Sequence, residues 1–141
     1  MKLIYEIFND FKNAKTKQER INILRNNYNP VLRDILLGVF RKEIEFVFSE
    51  PINYIPLPMN TPMGFGYSSI NKELSRLYIF IKNHPRVNPT LRLEKKRQLL
   101  RQILEILDPR ESEIYQNLIL KDLKIKGLTY ELVKEALPGL L

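Results

Sequence analysis

The sequence predicts an all-α, single-domain bundle of about seven helices spanning residues 1–141, and three observations carry that expectation. Apolar residues recur at helical spacing, the gaps between apolar runs hold helix-start signals, and no segment shows the sustained alternation of a half-buried strand. Taken in order, a first helix is expected over roughly 2–13. Thr16-Lys17-Gln18-Glu19 fits a capping box and opens a second over roughly 16–28. Asn29-Pro30 puts a side-chain cap before a proline in the first helical position, opening a third over roughly 30–48 with Val31, Ile35, Val39 and Leu32, Leu36, Phe40 on its apolar stripes. Ile70, Leu74, Leu77 and Ile81 mark a fourth over roughly 69–83. Asn88-Pro89 and Asp108-Pro109-Arg110-Glu111 open a fifth and a sixth over roughly 90–107 and 110–126, and Thr129 caps a last one over roughly 129–137.

Between the third and fourth helices, the long loop at 50–68 contains Pro51, Pro56, Pro58 and Pro62 with Gly64 and Gly66, so it cannot continue a helix. Its apolar residues Ile52, Tyr54, Ile55, Leu57, Met59, Met63 and Phe65 are too many for a free linker and are expected to tack it onto the bundle. Ile35, Leu36, Phe40, Leu74, Leu77, Leu100, Leu104, Leu118, Leu123 and Leu132 recur on inward stripes and are expected in one shared core.

The composition removes several functional classes. There is no cysteine, hence no disulfide, thiol nucleophile or thiolate metal site. Glu6 interrupts the apolar stretch a signal peptide needs, and no run approaches a membrane span, so a soluble protein without a membrane partner is expected. The single histidine, His84, precedes Pro85 in a basic turn, where a solvated side chain is expected. Asp108, Glu111 and Glu113 cluster, but a cap and carboxylates in a helix's first turn complement its dipole without any chemistry. Neither the phosphate-loop nor the dinucleotide pattern occurs, and Gly64-Phe65-Gly66 is a turn signal only. The reading is of a non-enzymatic chain with no cofactor and no metal.

Charge is the positive signal. Lys plus Arg number 23 against 16 acids, a formal net charge of +7, which favours an anionic partner. Much of the excess sits in residues 82–101, where Lys82, Arg86, Arg92, Lys95, Lys96, Arg97 and Arg101 face the single acid Glu94. Cations in a helix's first turns oppose its dipole, so Arg92, Lys95, Lys96, Arg97 and Arg101 form either a binding surface or a solvated face near acids. A second candidate lies further along, where Lys121, Lys124 and Lys126 surround a glycine turn, Gly127, followed by a fresh helix start at Thr129. Backbone N–H groups and lysines there suit a phosphate, although Gly127 can equally just end a helix whose negative end the lysines favour. If both elements serve one duplex, they must form one exposed surface.

At this point the sequence resembles a known family. Glu113-Ile114-Tyr115-Gln116-Asn117-Leu118-Ile119-Leu120-Lys121-Asp122-Leu123, then Lys126-Gly127-Leu128-Thr129 and Ala136-Leu137-Pro138-Gly139-Leu140-Leu141, is similar to the end of the amino-terminal DNA-binding domain of T-even-phage-type ATP-dependent DNA ligases. Tyr54, the loop prolines, Phe65-Gly66, the Thr16-Lys17-Gln18 cap and Ile23-Leu24 fall in corresponding order, so the resemblance covers essentially the whole chain. It departs where Lys124, Ile125 and Lys126 separate the basic-Asp-Leu triplet from its glycine, and where Lys134-Glu135 replaces an Asn-Lys pair.

The resemblance implies an all-helical domain that grips double-stranded or nicked DNA, with Lys121 and the turn from Gly127 to Thr129 facing phosphate. It also implies a phage-encoded protein acting in the host cytoplasm. The Lys-x-Asp-Gly motif that supplies the adenylated lysine is absent from the sequence, so ligation itself is not expected. A monomeric DNA-binding protein that contacts backbone phosphates is the leading expectation. The alternative is an adaptor with the same fold that docks on a phage replication or transcription protein such as a clamp or polymerase.

Overall fold

The structure, a computed structural model, describes residues 2–58 and 66–141. Among them are seven α-helices: α1 (Ile4–Asn13), α2 (Lys17–Asn26), α3 (Pro30–Phe40), α4 (Ile70–Glu73), α5 (Leu93–Ile106), α6 (Pro109–Ile119) and α7 (Tyr130–Ala136). A 3-10 stretch over Leu74–Phe80 continues α4, and the only β pairing among the described residues is an isolated antiparallel bridge between Phe46 and Ile81. The all-α bundle is as the sequence predicts.

Helix starts follow local hydrogen-bonding chemistry. The Thr16 hydroxyl accepts from Glu19 N at 3.1 Å, Asn29 Oδ1 from Leu32 N at 2.9 Å, Asp108 Oδ1 from Arg110 N at 2.9 Å and the Thr129 hydroxyl from Leu132 N at 3.2 Å. Each satisfies a backbone donor that a new helix leaves without an intrahelical partner. Pro30 and Pro109 sit at the first helical turn, where a missing N–H costs nothing.

α6 is the centre of the packing, in contact with α1, α3, α4 and α5, while α2 bridges α1 and α7. Its Tyr115, Leu118 and Ile119 join Phe11, Leu24, Ile35, Leu36, Phe80 and Leu104 in one apolar cluster. Gly38 lets α3 approach α6 closely, since a Cβ there would stand 2.5 Å from Leu118 Cδ1. Of the expected core, Ile35, Leu36, Leu77, Leu100, Leu104, Leu118, Leu123 and Leu132 are buried, whereas Phe40 and Leu74 are partly buried against its edge.

Four elements depart from the sequence reading. α3 ends at Phe40 instead of continuing to 48, because the chain turns at Lys42-Glu43 and its backbone then pairs with the segment after the 3-10 stretch: Val47 N donates to Phe80 O at 2.8 Å and Lys82 N to Glu45 O at 2.7 Å. The expected helix over 69–83 tightens into 3-10 winding after Glu73, whose carbonyl accepts from Tyr115 Oη at 3.0 Å. α5 starts at Leu93 instead of residue 90, since the Asn88 side chain caps its own turn by accepting from Thr90 N at 3.0 Å. α6 stops at Ile119 and not at 126.

In the long loop, Ile52 is buried and Tyr54 partly so, as the tacking reading requires, but Ile55 is 79% exposed. Met59, Met63, Phe65 and the Gly64 turn lie outside the described residues. Gly66 is pressed against the junction of α5 and α6, where a Cβ would meet Asp108 N at 2.5 Å.

Leu104, on α5, is fully buried in the shared core. Leu104→Ala is therefore expected to lower the unfolding free energy by about 2–5 kcal/mol in a denaturant titration. A loss below about 1 kcal/mol, typical of surface sites, would contradict this packing.

Candidate nucleic-acid interface

α5 divides lengthwise into an anchored half and an exposed half. Leu100, Ile103, Leu104 and the following Leu107 are buried, whereas no residue from Arg92 to Leu99 is. Arg92, Lys95, Arg97 and Arg101 are exposed and Lys96 is partly buried. Among the described residues none of these five cations enters an ion pair; the salt bridges that occur join other residues. Arg92 stands at the N-cap without a side-chain cap, and Glu94 is the single acid in the first turn to complement the helix's positive end against these cations. Arg97 lies over the Phe48 ring, 5.9 Å from its centroid, and Arg101 Nε donates to Asn53 O at 3.2 Å. These contacts set two guanidinium groups along the 47–53 segment, in a shallow groove they share with exposed Leu93.

The second candidate is built differently from the sequence reading. α6 closes in a Schellman turn: Lys121 N donates to Leu118 O at 2.9 Å and Asp122 N to Asn117 O at 3.0 Å, with Lys121 left-handed at φ 59°. Gly127 is therefore not the residue that ends α6. The left-handed turn sends the Lys121 ammonium to the carbonyl oxygens of Arg41 and Ile44, just past α3. Lys121 thus ties the end of α6 to the chain leaving α3, with two of its three N–H donors engaged. Burial pushes its ammonium below the usual lysine range, against the opposing pull of Glu45 and Glu43.

Lys124 and Lys126 are exposed. Lys124 is left-handed at φ 57°, its N–H donating to Asp122 Oδ1 at 2.9 Å, and Gly127 is left-handed at φ 88°. Thr129 caps α7 as expected. This segment rests on α1 and α2: Leu123 and Ile125 line a groove with Tyr5 and Phe8, and Gly127 packs against Arg20. The two basic groups thus have different supports, and among the described residues no hydrogen bond, ion pair or ring contact joins Lys124, Lys126 or Gly127 to the 92–101 stretch.

Several other titratable residues are engaged within the fold. Asp108 is fully buried, caps α6 and pairs with Arg110 at 2.7 Å; Arg110 in turn lies over the Tyr5 ring, 5.0 Å from its centroid. Glu111 is 4% exposed, and burial raises its carboxyl from an ordinary 4.5 to about 7, opposed by a hydrogen bond from the Ile70 backbone. His84 is partly buried, not fully solvated: its Nδ1 accepts from Arg86 N at 3.1 Å and its ring lies 5.3 Å from that of Tyr78. Among the described residues no group of three or more His, Cys, Asp or Glu is placed to hold a metal, and no helix is long and apolar enough to cross a membrane.

Two contributors escaped the sequence reading. Arg20 lies in an ordinary amphipathic helix and carries no local signal, since its contact with Gly127 is purely tertiary. Phe48 had one, because Ile44, Phe46 and Phe48 alternate at the period of an extended chain.

A family model, that of a family of unknown function (DUF6433), matches residues 7–126, and the chain belongs to that family. Comparison with curated proteins finds no match.

Two outcomes test this account. Lys121→Met keeps the stem but leaves the Arg41 and Ile44 carbonyls without their donor, and is expected to cost about 1–3 kcal/mol in thermal unfolding. For Glu111 the folded carboxyl holds its proton to about pH 7, whereas an unfolded one releases it near 4.5. Its contribution is complete below the lower value and lost as pH rises through the upper one, a fall on the order of 3 kcal/mol at most. Glu111→Gln should flatten that fall in unfolding measured from pH 4 to 8; an unchanged slope would contradict the burial of this carboxyl.

Proposed function

We propose that this member of the DUF6433 family is a non-catalytic protein that binds double-stranded or nicked DNA through backbone phosphates, with the exposed cations of α5 as its main contact surface. The observation that carries the reading is the set of Arg92, Lys95, Lys96, Arg97 and Arg101, none of which has a carboxylate partner among the described residues. Cations kept unpaired at a helix's positive end are destabilising by a few tenths of a kcal/mol or more each, so a partner that supplies negative charge gives them a purpose. Phosphates do so at regular spacing along a duplex, and lysine and arginine meet them without reading bases. The resemblance to the amino-terminal domain of phage-type DNA ligases supports the same partner. A monomeric state, a phage origin and a place in the host cytoplasm belong to this proposal and rest on that resemblance.

A second reading is an adaptor that docks on a phage replication or transcription protein. In its favour, Ile55 and Tyr67, both within the long loop, are 79% and 84% exposed. Large apolar side chains presented to solvent suit a protein partner better than a phosphate track.

A salt-dependent titration against nicked, intact and single-stranded DNA separates the two. Each phosphate contact is expected to add a slope of about −0.9 to the log–log salt dependence. Arg92→Glu with Lys95→Glu should weaken binding equally for every duplex sequence and flatten the slope by up to roughly two contacts. The fold should hold, because acids suit a helix's first turn. Absence of affinity with a flat salt response would favour the adaptor.

A further inference from the structure

Arg20 carries a full positive charge that no group in the described fold neutralises. It lies on α2 with its guanidinium 5.8 Å from the centroid of the Phe11 ring and packed against Gly127. Its Nε is buried without a hydrogen-bond partner, while the residue as a whole is partly exposed and its Nη groups make no hydrogen bond among the described residues. Acids on α2 and α7 are otherwise engaged or apart: Glu19 accepts from Lys15 N at 3.0 Å, Glu135 pairs with Lys17 at 2.7 Å, and Glu131 forms no ion pair among the described residues. A buried, unsatisfied donor on a permanently charged group is costly unless something else satisfies it.

The glycine fits the same picture. Gly127 is left-handed at φ 88°, and a Cβ there would stand 2.5 Å from Arg20 Nη1. Any other residue would both strain the turn and push the guanidinium away. Lys126, the preceding residue, is exposed.

We infer that Arg20, held between the Phe11 ring and the Gly127 turn, is an anion-binding group that takes a phosphate or phosphodiester, with Lys126 as the adjacent cation. A guanidinium offers a planar fork that matches two phosphate oxygens, and one fixed by packing loses little freedom on binding. The inference rests on the preceding reading only for its ligand class. Its site is α2 and the turn before α7, not α5.

The experiment titrates the full chain with inorganic phosphate against chloride at constant ionic strength, following backbone amide signals and the Arg20 Nε–H by NMR. Saturable shifts are expected at Arg20, Lys126 and Gly127, and they should persist in the Arg92→Glu, Lys95→Glu protein, so a failure of the α5 reading leaves this one standing. Arg20→Met should abolish them. Arg20→Lys keeps the charge without the fork and should weaken them about tenfold, the loss of one charge-assisted hydrogen bond, and it serves where Arg20→Met does not fold. Gly127→Ala should have the same effect as removing the arginine. A short DNA duplex that moves the same signals and competes with phosphate identifies the source as a nucleic-acid backbone; a response to inorganic phosphate alone identifies a small phosphorylated ligand. Absence of shifts at 126–127 with either probe, or undiminished shifts in the Arg20 variants, would overturn the assignment.

Discussion

The burial of α6 is the constraint on which the other elements depend. A helix packed by α1, α3, α4 and α5 cannot leave its inward polar groups to water, so each must find a partner in a neighbour. Ser112 Oγ donates to Leu104 O on α5, Tyr115 Oη to Glu73 O at the end of α4, and Gln116 Oε1 accepts from Ile52 N in the long loop. Past its last turn, the Lys121 ammonium reaches the chain leaving α3. Each bond is modest in net terms, but removing one partner strands a buried group, which is why the set specifies how the surrounding pieces are placed.

That arrangement sorts the charges. Three acids are used inside and do not neutralise the basic surface: Asp108 with Arg110, Glu73 with Ser68 and Arg76, and Glu111 with the Ile70 backbone. The cations of α5, having no such partners, stay outward. The surplus of basic residues is therefore more concentrated at the surface than the composition alone conveys.

Local chemistry made much of the bundle legible. Thr16, Asn29, Asp108 and Thr129 cap helices where the sequence places them, because a cap is decided within a few residues. Helix ends were less legible. α6 ends seven residues early because Lys121 adopts the left-handed position usually held by glycine, and it thereby gains a contact with the chain leaving α3 that no local pattern encodes. The 3-10 winding after Glu73 likewise depends on Tyr115, distant in sequence. Of the candidate site, the basic character of α5 could be read directly, whereas the role of Lys121 and the placement of Arg20 over Gly127 are tertiary facts.

The lengthwise division of α5 also bears on motion. Its first two turns hold no fully buried side chain and reach the core only through partly buried Leu99, so their backbone hydrogen bonds rest largely on helix propensity, while Leu100, Ile103 and Leu104 clamp the rest. Such a segment opens without the molecule unfolding. Amides from 93 to 99 should exchange with solvent deuterium long before those of α6, and whatever settles on this stretch acts as a splint, converting a fraying end into ordered helix.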